Sequence, residues 1–409
     1  MTNEFSVRTD RFISEFRFLF GELYPGEDAR FQELQALLKS AYQGRSAALR
    51  RRDRNALDNP EWYRRTGPEV RLAEESERFV PYSFTSSLEK AEEFLAEAKA
   101  ILEIADGGAE VILLGGLSRL FYLPGTEWQH QQKLHRALRL FRIITDTVCP
   151  SVLLAGTVPG GPDAAAPYYG SSERPELHLM ADTTFLPLLL HTFATADTRL
   201  LAHEVNRTQG LPRTQLKLRD LSTEGGVVWT LDYDYLGILK MDEESHREFL
   251  NRYYSGKFKK SPAGGRLVKD RKSGTSRIEG TLPELLGEKM QEEKLLLMQA
   301  LLLEVSGITR ERPLPHELLK LRKLFHAFDS DADVWTVSTD NDHVIGIGRY
   351  KEGQKLYGLY NFSAEEQIFS LHDPGTYVNL VSGKTSTVNS LVRLQPYAFA
   401  WLQEKHDTQ

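Results

Sequence analysis

Apolar residues recur at helical spacing from the start of the chain. Phe12, Phe16, Leu19, Phe20 and Leu23 form one stripe, and Phe31, Leu34, Leu37 and Leu38 a second, so residues 10–62 read as helices. Within them, Arg50-Arg51-Arg52-Asp53-Arg54 reads as a solvated helix face, and the polar stretch 64–80 as a connector. From about 88 to 306 the period alternates. Helices are expected over 88–105, 130–147 and 184–205. Between and after them come short apolar runs, Glu110–Gly115, Pro150–Gly156, Glu176–Ala181 and Gln215–Leu221. Strands alternating with helices of this length predict parallel β/α units. Residues 245–290, rich in Gly, Ser and Lys, read as mostly irregular, and 291–304 and 315–327 as helices.

After Asp329 the texture changes. Runs such as Val334–Val337, His343–Arg349, Lys355–Tyr360 and Ala398–Leu402 alternate with turn signals such as Asp373-Pro-Gly375, which predicts an antiparallel β-sandwich. The fold class is α/β, in three domains. A helical N-terminal domain covers 1–65, a β/α core 66–328 and the sandwich 329–409. No Gly/Ser/Pro-rich linker precedes the sandwich, so it is expected to pack on the core.

Composition narrows the class. Hydrophobic residues make up 41% and charged residues 26%, ordinary for a globular protein. A net charge of −6 lacks the basic footprint of a nucleic-acid binder. The single cysteine, Cys149, has no intrachain disulfide partner and is expected buried and inert. With no apolar run at the N-terminus and none of membrane-spanning length, a reducing, cytoplasmic location away from membranes is expected.

Several strings carry a family resemblance. They are Asn59-Pro-Glu-Trp62, Leu211-Pro212 with Trp229-Thr230 seventeen residues on, His246-Arg-Glu-Phe-Leu-Asn-Arg252, Ser276-Arg-Ile-Glu-Gly-Thr281, Leu380-Val-Ser-Gly-Lys-Thr385 and Leu394-Gln-Pro-Tyr397. In order and spacing the chain resembles amylosucrases of the α-amylase family of glycoside hydrolases. That likeness implies a TIM-type β/α barrel between a helical domain and a β-sandwich. The chain is short for it, with about fifty residues between Trp62 and Gly115 and no apolar run in Ser306–Arg312. The resemblance therefore implies a reduced, partial barrel of four strands. Its last strand, with Leu216 and Leu218 against Lys217 and Arg219, reads as an edge with one wet face.

Retaining glycosidases need a carboxylate nucleophile and a carboxylic acid about 5–5.5 Å apart. The resemblance puts the family's Arg-x-Asp nucleophile strand at Leu113-Leu114-Gly115, its acid at Thr157 and its His-Asp-Asp at Glu224-Gly225-Gly226. None of these positions keeps the family residue, so no catalytic residue is assigned. The expectation is a catalytically inactive relative, a regulatory or carbohydrate-associated scaffold. Two alternatives stand beside it. One is an active sucrose- or glucan-acting enzyme with relocated carboxylates such as Glu127 or Glu224. The other is a glucan-binding module, for which Glu127, Trp128, Tyr168 and Tyr169 are candidate sugar-lining residues.

No cofactor or metal is expected. Asp329-Ser-Asp331-Ala-Asp333 lacks the glycine and glutamate of a calcium loop, and His130 and His135 have no zinc-helix spacing. Candidate partners are a sugar or α-glucan, an active paralogue, or a second copy of the chain covering the inner face of an incomplete barrel.

Overall fold

The computed structural model describes residues 2–58, 79–121, 131–209, 215–269, 274–305, 308–309, 313–388 and 391–405. The core sheet is built from β1 (Phe79–Ser83), β2 (Val111–Gly115), β3 (Leu153–Gly156), β4 (Leu179–Ala181) and β5 (Leu216–Arg219). A two-stranded antiparallel ribbon, β6 (Arg266–Lys269) and β7 (Ser276–Glu279), follows, and then β8 (Ile308–Thr309). The sheet order is β1-β2-β3-β4-β5-β8 with every pair parallel. Among the described residues β1 and β8 do not pair with each other, so the sheet is open.

Six parallel strands stand where four were expected. Phe79–Ser83 lies partly in the segment read as a polar connector, and β8 is two residues long, too short to show a period. The addition of β8 also moves β5 off the edge. Lys217 and Arg219 do not face water. Their side chains are 11% and 8% exposed and both turn to the carboxylate of Asp182.

The two faces of the sheet are apolar for different reasons. Ile112, Leu114, Leu154 and Met180 pack under the helices Ala91–Asp106 and Gln132–Val148. The opposite, inner face gathers Val111, Leu153, Ala155, Leu179, Leu216, Leu218 and Ile308 in a cluster of its own. Each of these is at most 3% exposed within one chain. The case for a second copy rested on an uncovered inner face, and a single chain already buries it.

The helices Thr2–Leu23, Asp28–Gly44 and Ala47–Asp58 share the outer core. Phe20 meets Phe94 at 6.2 Å and Phe94 stacks on Phe141 at 4.7 Å. The basic run 50–54 is not simply a solvated face. Arg52 donates to Gly108 O at 2.8 Å, and Asp53 is buried between Arg45 at 2.8 Å and Ser151. Cys149 is fully buried. The expected helix over 184–205 is two helices, Phe185–Thr195 and Arg199–Gln209, divided at Ala196 in left-handed backbone. Residues 245–290 are more ordered than their composition suggests. They hold most of the helix Glu243–Tyr254, the β6–β7 ribbon, and a helix Leu282–Leu286 whose Thr281 and Glu284 make a capping box.

The C-terminal strands are β9 (Asp333–Val337), β10 (Val344–Lys351), β11 (Gln354–Asn361), β12 (Gln367–Ser370), β13 (Gly375–Asn379), β14 (Thr385–Val388), β15 (Leu391–Leu394) and β16 (Phe399–Glu404). Six form an antiparallel sheet in the order β14-β13-β16-β11-β10-β9, and β12 and β15 pair separately. Phe369 and Leu394 of the small sheet share a core with Tyr357, Leu359, Tyr377 and Leu402 of the large one. The large sheet also packs on the β/α core, since Ile345, Ile347, Tyr360 and Trp401 cluster with Leu297 and Leu301 of the helix Gln291–Glu304. Asp329 and Asp331, which begin the calcium-like string, hold Lys351 Nζ at 2.7 and 2.6 Å.

Candidate functional site

In a parallel β/α sheet the chemistry sits where the strands end. Strand alternation decides which side chains reach that mouth. Leu113 pairs in register with Pro81 and Ala155, and Gly115 with Ser83, all on the inner face. Thr157 follows Gly156 at the end of β3 and alternates onto the same face, its N–H donating to Leu114 O. The structure therefore brings Leu113, Gly115 and Thr157 together, and none of them carries a carboxylate. A β-carbon built on Gly115 would lie 3.6 Å from Ser83 Oγ, an ordinary contact. The glycine is not enforced by crowding.

The third position is different. Glu224 is exposed on a turn after β5, where Gly225 and Gly226 both take left-handed backbone, φ 78° and 83°. Gly226 N donates to Thr223 O, and the next residue, Val227, bridges to Ile278. A β-carbon on Gly226 would approach Arg277 Cδ to 2.9 Å. The turn excludes side chains there, so Gly226→Ala is expected to cost about 1–3 kcal/mol from backbone strain and the clash. Gly115→Ala, in an ordinary conformation with room, is expected to be neutral or stabilising by up to about 1 kcal/mol. Urea denaturation of the two variants side by side checks the contrast, and equal losses would show that the turn is not what holds glycine at 226.

Asp182 is the carboxylate just beyond β4. Arg219 Nε donates to it at 2.9 Å and Thr184 Oγ1 at 2.7 Å, with Lys217 at 3.7 Å. Burial pushes its carboxyl up, but Lys217 and Arg219 outweigh burial and hold the group far below the usual carboxylate range. A catalytic acid must keep a proton near working pH, which this group does not. Lys217 pairs with Met180, so the ion cluster belongs to the helix-covered face.

Tyr168 and Tyr169 lie in the core. Tyr168 is fully buried with its ring 5.2 Å from that of His135, and Tyr169 donates to Leu216 O at 2.7 Å. Neither offers a ring face to a sugar. Glu127 and Trp128 lie outside the described residues.

Three strings that carried the family resemblance converge on one groove of about 980 Å3, lined by Trp229, Arg247, Asn251, Arg252 and Ser276. Two of the three strings are bonded to each other. Trp229 Nε1 donates to Asn251 Oδ1 at 2.9 Å, and Arg247 donates to Trp229 O at 2.8 Å while lying 4.1 Å over the Tyr233 ring. Trp229 is 2% exposed, so it is packing and not a platform. Elsewhere His203, Glu204 and Asp232 lie close enough to share an ion. Arg207 already bridges both carboxylates, at 2.9 and 2.8 Å, and His203 stacks on Tyr235 at 3.7 Å.

No protein-family model matches the chain. A stretch of 124 residues is 29% identical to the glucosylglycerate phosphorylase of Allomeiothermus silvanus, covering 30% of this chain and 22% of that protein. A stretch of 113 residues is 30% identical to the glucosylglycerate phosphorylase of Spirochaeta thermophila, covering 26% and 19%. The matches thus span about a fifth of these relatives' own length. Among solved structures, AmyP in complex with maltose superposes with a TM-score of 0.51 at 12% identity, over 76% of this chain and 67% of that one. An α-amylase from Anoxybacillus gives 0.50 at 11%, over 78% and 64%. The sucrose 6F-phosphate phosphorylase of Thermoanaerobacter thermosaccharolyticum gives 0.50 at 13%, over 74% and 63%. At such identities the likeness is one of fold.

Proposed function

We propose that this chain, which carries the barrel fold of the α-amylase family in a six-stranded form, is a catalytically silent relative serving as a regulatory or carbohydrate-associated scaffold. One observation carries the reading. The inner-face positions at the ends of β2 and β3 are Leu113, Gly115 and Thr157. An oxocarbenium-like transition state there meets leucine, bare backbone and a hydroxyl. Loss of one member of a catalytic set already removes several orders of magnitude of rate. The left-handed glycines at 225 and 226 point the same way: both backbones strain any side chain, and at 226 a β-carbon also meets Arg277 and Ile278 O. The strings that persist, around Trp229 and Arg247, are the ones whose bonds hold the fold.

The finer likeness read from the sequence is to amylosucrases, and the matched relatives are glucosylglycerate phosphorylases. Both transfer glucosyl groups, so the assay covers both. The full chain incubated with sucrose, maltooligosaccharides, glucosyl fluoride, or glucosylglycerate plus phosphate is expected to release no product above background. Turnover of any of these that vanishes on Glu224→Gln would sink the proposal and support a relocated acid. Neighbours solved with maltose and maltotriose make a short α-glucan the first ligand to titrate. The single buried cysteine fits a reducing, cytoplasmic setting.

A further inference from the structure

A cavity of about 270 Å3 opens between the β/α core and the C-terminal sheets and shares no lining residue with the strand mouth. Lys260, Lys289 and Lys294 line it together with Phe193, Tyr253 and Tyr397. We propose that it binds a small phosphorylated ligand, a reading independent of whether the strand mouth is silent.

The central observation is Lys294. It sits in the first turn of the helix Gln291–Glu304 and is 6% exposed. Its Nζ donates to Leu286 O at 2.8 Å and lies 5.1 Å over the Tyr397 ring. Among the described residues no carboxylate comes within ion-pair distance of it. Burial pushes its pKa down and Lys289 pushes the same way, with Glu293 opposing. An ammonium taken out of water with one carbonyl and one ring face is expensive, and an apolar side chain of similar length would suit the packing better. The cost is offset when an anion enters.

The surroundings fit that anion. Lys260 and Lys289 are exposed beside the cavity, and neither is ion-paired among the described residues. The first turn of a fourteen-residue helix adds the positive end of its dipole, and its two carboxylates, Glu292 and Glu293, are exposed and do not line the cavity. Three point charges around one small space suit a phosphate's oxygens. The rings of Tyr253, Tyr397 and Phe193 offer apolar faces for a compact carbon skeleton next to it. Because Tyr397 belongs to the C-terminal unit and the lysines to the core, an occupied cavity would tie the two together.

The test is thermal unfolding of the full chain at pH 7, at ionic strength matched with chloride, with inorganic phosphate, glucose 6-phosphate or glucose. Wild-type protein is expected to show a saturable rise in Tm with both anions, at lower concentration for glucose 6-phosphate, and none with glucose. Lys294→Met is expected to fold and to bind either anion more than tenfold more weakly. Lys260→Ala with Lys289→Ala is expected to weaken binding severalfold at unchanged basal Tm. No saturable shift in the wild type overturns the proposal, as does an undiminished shift in Lys294→Met. If Lys294→Met does not fold, the exposed double variant decides by the same criterion.

Discussion

Arg349→Met is expected to destabilise the protein by about 2–5 kcal/mol, the cost of taking the donor from buried backbone carbonyls. Arg349 lies in the middle of β10 and is fully buried. Its guanidinium donates to Ala327 O at 2.5 Å, to Asp329 O at 2.6 Å and to Glu304 O. Glu304 ends the helix Gln291–Glu304, and Ala327 and Asp329 belong to the segment that leads into β9. One side chain thus satisfies three carbonyls from the core and its connector, and places a cation at the negative end of a helix. Burial and the neighbouring Arg322 push its pKa down to about 10, so it stays charged at neutral pH. Methionine fills similar volume but takes the donor from Ala327 O and Glu304 O, while Asp329 O keeps the Ala332 N–H at 3.1 Å, and each buried carbonyl left unpaired costs about 1–3 kcal/mol. The variant should also release a fragment of roughly residues 330–405 on brief proteolysis. A loss under about 1 kcal/mol in urea would mean that water replaces the guanidinium and that the junction does not depend on it.

The same junction shows why part of this molecule is legible in its sequence and part is not. Val111–Leu114 and Val152–Ala155 stand out because both faces of a covered parallel sheet are apolar, so the run is unbroken. Phe79–Ser83 is interrupted by Pro81, and Ile308–Thr309 is too short to carry any period. Lys217 and Arg219 misled for a stricter reason. Alternating charge reads the same whether it faces water or a buried aspartate, and only the fold supplies Asp182. At the strand mouth, the resemblance named Leu113, Gly115 and Thr157, and register confirms only that they share a face. Tyr168 and Tyr169 read as candidate sugar-lining residues of the loop 156–174, yet the loop folds inward and buries both. The lysine cavity had no local signal. Lys294 reads as one polar position on a helix, and its meaning depends on Tyr397, more than a hundred residues away.

Glu304→Gln is expected to stabilise the protein at pH 8 by about 3 kcal/mol and to leave it unchanged near pH 4.5. Glu304 is fully buried, its Oε2 accepting from the Tyr360 hydroxyl, which in turn accepts from Trp401 Nε1 at 2.8 Å. Gly358 makes room for it, since a β-carbon there would fall on the carboxylate itself. Burial raises its pKa from 4.5 to about 7, with Tyr360 and then Arg349 opposing. The folded protein therefore keeps this proton up to about pH 7, whereas the unfolded chain releases it at about 4.5. Between those values the native state binds more protons, so stability falls as pH rises. The contribution is complete below about pH 4.5 and lost above about pH 7. A shift of about 2.5 units at 1.36 kcal/mol each gives the figure of about 3 kcal/mol. Glutamine reproduces the neutral form, keeps an acceptor for Tyr360 and does not titrate. Other carboxylates tilt both proteins alike, so the difference between wild type and variant is what reports on this group. Urea unfolding from pH 4.5 to 8 should show that difference opening as pH rises. A difference that stays constant over the range would show that Glu304 is ionised in the native state, held by Arg349 as a buried ion pair.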